Sequence, residues 1–187
     1  MAAIDLGRIV SVPGRLCVGP TDLSLPFPHG GTSLGATRGI VFRPSYRFGE
    51  VPYECFGGEA GEVVYLGASG RAAAILRGVD ADAWKAIVPE TADGPTTQQA
   101  GVVTSFPGST RAGAFRSGTA VKLLVSPDDE LAHPALILYR AVPWVDPTAA
   151  LLWQRGVVQE LEVGFTALRR ASDARAWQIA RLDLVTL

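Results

Sequence analysis

The chain has 187 residues, a formal net charge of −1, two histidines and two cysteines. That length suits a single domain, and the near-neutral charge excludes a bulk nucleic-acid binder, which needs a strongly basic face. Hydrophobic residues make up 48% and charged residues 19%, with 21 Gly and 13 Pro, a mix that fits a turn-rich all-β protein or one that hides much of its surface in an assembly.

Cys17 and Cys55 form no CxxC pair. They read most simply as small buried hydrophobes, with a disulfide left open. The start, Met1 to Asp5, has no charged n-region followed by an apolar run, and no stretch approaches the ~18 apolar residues of a membrane span. A soluble protein made in the cytoplasm is expected. Only Lys85 and Lys122 are lysines, so positive charge is nearly all arginine. Arginine suits planar contacts at subunit interfaces.

In chain order, residues 1–38 read as an arm. Pro13, Gly14, Gly19, Pro20, Pro26, Pro28, Gly30, Gly31 and Gly35 punctuate it. Only short apolar pieces survive, Ile9 to Val12 and Leu16 to Val18, enough for a short edge strand. Residues 39–187 read as one β-domain. Ile40, Phe42, Tyr46 and Phe48 recur at period two around Pro44, which predicts an edge or bulged strand, and Glu50 to Phe56 predicts a further extended piece.

Val63 to Leu66 is dense in β-formers. Gly67 to Gly70 predicts a four-residue hairpin loop, with Ala72 to Leu76 returning as the partner strand. Asp80 is a good helix N-cap and Pro89 a stop. Between them Ala83, Trp84, Ile87 and Val88 share one helical face, so a short helix should dock on the sheet through Trp84 and Ile87.

Residues 90–118 form a long, irregular Gly/Pro/Thr/Ser/Gln loop in which Val102, Val103 and Phe106 are the anchors. Ala120 to Val125 predicts a strand. Pro134 to Pro143 predicts a long strand buried on both faces. In Val157 to Leu168 the residues Leu161, Val163, Phe165 and Ala167 alternate with Glu160, Glu162, Gly164 and Thr166. Trp177 to Leu187 predicts the closing strand. The expected total is eight or nine strands and one helix.

Chemistry-bearing motifs are sparse. Neither lysine sits in a phosphate loop, and the glycines at 30, 31, 35 and 39 lack a βαβ context. Ser69 lies in a turn-like sequence without the G-x-S-x-G spacing of a nucleophile elbow. His29 and His133 stand beside proline without metal-ligand spacing. Asp128, Asp129 and Glu130 read as a solvated turn. Glu160 and Glu162 share a strand face and could do acid–base work as a pair, but a wet sheet face explains them more simply. No catalytic residue, cofactor or metal site is expected. Trp84 and Trp177 fall on periodic apolar faces. Trp144 and Trp153 flank a Pro/Ala-rich link and are either satellite core or interface anchors.

The order of elements, with the segments Gly61 to Trp84, Leu136-Ile-Leu-Tyr-Arg-Ala-Val-Pro-Trp144 and Glu160-Leu-Glu-Val-Gly-Phe-Thr-Ala-Leu168, resembles the tail tube proteins of long-tailed bacteriophages. The resemblance frames roughly residues 40–187. It departs at Arg169 and Arg170, where an acidic residue and a glycine would be expected. That keeps open a tail terminator or baseplate ring protein, and a soluble β-sandwich ligand-binding module is the alternative outside the family. The resemblance implies an all-β sandwich or barrel with a flanking helix and a non-enzymatic virion role. Hexameric rings would stack into a tube with other tail proteins, and genomic DNA would pass through the lumen without specific binding. On this reading Glu160 and Glu162 face the lumen, while residues 1–38, residues 90–118, Trp144 and Trp153 meet neighbouring subunits.

Overall fold

The computed structural model describes residues 14–52, 60–79, 81–88, 91–93, 105–107, 116–145, 160–169, 175–185 and 187. Among them ten strands and one α-helix follow in order: β1 Gly14–Val18, β2 Thr32–Ser33, β3 Ala36–Pro52, β4 Ala60–Arg77, α1 Ala81–Ile87, β5 Thr91–Asp93, β6 Ser105–Pro107, β7 Val121–Pro127, β8 Ala135–Val145, β9 Glu160–Ala167 and β10 Trp177–Ala180. The all-β class with one short helix is as expected.

Eight strands make one antiparallel sheet in the order β2-β1-β7-β8-β9-β4-β3, with β10 added alongside β8. β5 and β6 pair separately within the stretch 90–118. β1, next to one end of the large sheet, meets β3 at the other: Thr37 Oγ1 donates to the Gly14 carbonyl at 3.0 Å. The sheet therefore rolls on itself, with one face inward.

The inward face is the core. The alternation in β9 buries Leu161, Val163 and Phe165, which pack with Leu16, Leu76, Leu123 and Leu138. Each such side chain contributes roughly 1.5–3 kcal/mol of transfer free energy when fully buried. α1 closes this core with Ala83 and Ile87 buried and Trp84 packed at its margin, as the helical spacing predicts. Asp80 and Pro89 lie outside the described residues.

The first half of β8 is apolar on both faces because its outer face is also covered. Ile137 and Tyr139 pack there with Cys17, Leu124, Leu182 and Val185. The expected closing strand to Leu187 is thus shorter. It ends at Ala180, and a 3₁₀ turn at Leu182–Leu184 folds the chain end onto this second cluster. Cys17 is a buried, free thiol, while Cys55 lies outside the described residues.

β9 and β10 occupy one track beside β8. Ala167 pairs with Ala141, and Trp177 pairs with Leu138. The ladder is continued from each side by Leu168 N–H to the Arg140 carbonyl and Tyr139 N–H to the Ala176 carbonyl.

The hairpin expected at Gly67–Gly70 is absent. β4 runs unbroken from Ala60 to Arg77, and its hairpin partner is β3, one residue shorter. The glycines serve neighbouring side chains instead. Gly67 has φ +136° at a register shift, and a Cβ there would lie 2.0 Å from Arg169 Nη2. A Cβ on Gly70 would meet the Phe42 ring at 2.7 Å and Trp177 at 3.1 Å. The separate pieces expected at 39–48 and 50–56 are likewise one strand as far as Pro52, and Pro44 is tolerated because β3 lies at the end of the strand order.

Of the stretch 1–38 expected as an arm, residues 1–13 lie outside the described residues. The remainder supplies β1, β2 and the start of β3, and Leu16, Cys17, Val18 and Leu34 are buried.

Candidate functional site: a projecting hairpin and an open sheet face

β4 pairs with β9 only from Arg71 to Arg77. From Ala60 to Gly70 its strand partner among the described residues is β3 alone. Among the described residues the far half of this ribbon therefore stands clear of the rolled sheet. Apolar side chains are exposed on both faces. On one, Phe48 lies opposite Tyr65 with ring centroids 5.9 Å apart, and Val63 follows beside Glu50. On the other are Val64 and Val51, with Glu62 opposite Val51. Phe48, Val63, Tyr65 and Leu66 are each 56–61% exposed. A two-stranded ribbon is marginal on its own, and contiguous exposed apolar side chains mark an interaction surface. At its root Arg169 Nη2 donates to the Leu66 carbonyl at 3.3 Å.

Glu160 and Glu162 project from the outward face of β9, as the alternation predicts. Glu160 accepts from Arg77 Nε at 2.9 Å and Nη2 at 2.7 Å, and from Arg38 Nη1 at 3.3 Å. The Arg77 hydrogen bond, with help from Arg38, holds its carboxyl below the ordinary value. Glu162 is exposed.

Sequence reading missed what lies beside them. The pairing of β3 with β4 adds Arg38, Arg43, Arg71 and Arg77 to the same outward face, so the face that reads acidic along β9 is cationic. Arg43 and Arg71 are direct cross-strand partners, and both are exposed. Like charges placed opposite each other are unfavourable, and neither has a carboxylate partner among the described residues. Only the β3–β4 register brings them together, so no local pattern in the sequence signals the pair.

Trp144 lies on this face, half-buried, with its indole over Gly164, where a Cβ would lie 2.1 Å from the ring. It helps line a shallow depression of about 340 Å³ with Arg38, Val41, Arg43, Arg71 and Glu162. Trp153 lies outside the described residues.

A second polar cluster surrounds His29, which is fully buried. Its Nδ1 is 2.8 Å from the Leu25 carbonyl, so Nδ1 carries the proton and donates. Its Nε2 faces Glu130 Oε1 at 3.4 Å. Ser126 Oγ donates to the same Glu130 oxygen at 2.7 Å, and Arg15 pairs with Asp128 at 3.1 Å and Glu130 at 3.4 Å. The acidic run 128–130 is a turn with Asp128 and Asp129 exposed, as expected, and Glu130 anchors it. Serine, carboxylate and histidine meet here, but the hydroxyl points to the carboxylate and not to the imidazole, which is not the hydrogen bond that activates a nucleophile. Backbone bonds from Thr21 and Asp22 N–H to the His29 carbonyl make this cluster the clasp of loop 19–31. Ser69 lies within β4 opposite Ser45.

Among the described residues no group of three or more His, Cys, Asp or Glu is placed to hold a metal, and no helix is long and apolar enough to cross a membrane. No protein-family model matches the chain, and no curated protein matches it.

Proposed function

We propose that the chain is a structural, non-enzymatic subunit that assembles with copies of itself into rings, and that the rings form part of a bacteriophage tail tube through which DNA passes. The projecting β3–β4 hairpin carries this reading. Its exposed Phe48, Val63, Tyr65 and Leu66 are side chains that a folded protein covers with a partner. The order of elements that resembles tail tube proteins adds the virion setting. A tail terminator or baseplate ring protein belongs to the same structural class.

The face with Glu160 and Glu162 fits an interface between subunits better than a lumen wall. Its arginines would retain phosphate rather than let it slide, because each neutralised phosphate adds affinity.

Sedimentation tests the reading. Wild-type protein should run as a multiple of the single chain, and replacing Phe48 and Tyr65 with serine should shift it to monomer while leaving the fold intact. A monomeric wild type at all concentrations would overturn it.

A further inference from the structure

Charge is segregated along the β3–β4 ribbon. From Phe48 to Gly70 the sequence holds Glu50, Glu54, Glu59 and Glu62 and no lysine or arginine. Glu50 and Glu62 are exposed, and neither meets a cation among the described residues. The root carries the opposite charge, in the facing pair Arg43 and Arg71 with Arg47 beyond them. An acidic, apolar end and a basic root with its own apolar side chains, Val41 and Trp144, are complementary, yet a stiff ribbon cannot fold back to join them.

We propose that the acidic end of one subunit's hairpin docks on the arginine-bearing open sheet face of the next. The Glu50 carboxylate approaches Arg43 and Arg71 while Val63, on the same face of the ribbon, covers Val41 beside Trp144; Glu62, on the opposite face, adds attraction at longer range. Two different surfaces meet in such a contact, so it is head-to-tail, and head-to-tail contacts close into rings or run on as filaments. Glu162 sits at the rim of the same depression. As the carboxylate at the rim of that depression, it sets the register by repulsion. This inference rests on the self-assembly reading and names the two surfaces that carry it.

Charge reversal and its repair test it, read by sedimentation at low salt. Replacing Arg43 and Arg71 with glutamate, or Glu50 and Glu62 with arginine, should each raise the concentration needed for assembly by about tenfold or more. Combining all four should restore assembly to within about threefold of wild type. Because Glu50 and Glu62 lie on the projecting ribbon, the hairpin variant carries the test if the root variant fails to fold. Variants that assemble as well as wild type would overturn the docking while leaving the ring reading intact. So would variants that assemble normally but lose binding to a single-stranded oligonucleotide, which would make the arginine face a nucleic-acid surface. A wild type that never assembles removes the reading on which the docking rests.

Discussion

The indole of Trp177 meets the ring of Phe42 edge-on, with centroids 5.1 Å apart, in space left free because position 70 is glycine. Tyr46 joins the same cluster at 6.3 Å from Trp177. This aromatic group ties β10 to the root of the projecting ribbon, so the hairpin's stiffness depends on a missing side chain.

Gly70→Ala is therefore expected to destabilise the protein. The added methyl would sit 2.7 Å from Phe42 and 3.1 Å from Trp177, an overpacking that costs about 1–3 kcal/mol. Gly118 has no neighbour within 4 Å of an added Cβ, and Gly118→Ala should stay within about 0.5 kcal/mol of wild type. Urea midpoints of the two variants measure the difference. Equal midpoints would show that the glycine is not required for packing.

That glycine also marks where the sequence misleads. Gly-Ala-Ser-Gly has the composition of a turn, and nothing local says that Phe42, Trp177 and Arg169 will occupy the space above it. Periodicity, by contrast, located β9, β8 and α1 well, because burial follows directly from alternation or helical spacing within each segment. The Arg43–Arg71 pair and the His29–Glu130 contact join residues far apart in the chain. Register and chain path create both, and composition carries no trace of either.

The Glu160 carboxyl is lowered from 4.5 chiefly by the hydrogen bond from Arg77. The unfolded chain then takes up the proton before the folded one does. The stabilising contribution is complete above the ordinary value and is lost as pH falls through the lower, folded value. Glu160 is exposed enough for solvent to screen much of it. Wild type should exceed Glu160→Gln in urea midpoint near neutrality, and the gap should narrow below pH 4.5. A gap that stays constant down to strong acid would rule out the Arg77–Glu160 pairing as its source.

Burial pushes the Cys17 thiol up from 9.0 to about 11. In a Cys55→Ser background, a thiol reagent near pH 8 should leave the folded protein unmodified and react fully once guanidinium unfolds it. Between 9.0 and about 11 the unfolded chain releases a proton that the folded chain keeps, so this group lowers stability as pH rises across that window. Rapid native labelling would contradict the placement of Cys17 beneath loop 19–31.

Negative-stain electron microscopy of the purified wild-type protein tests the central claim most directly. Self-assembly through the projecting hairpin predicts open-centred rings or stacked tubes, lost when Phe48 and Tyr65 become serine. Uniform particles the size of one chain at every concentration would contradict it.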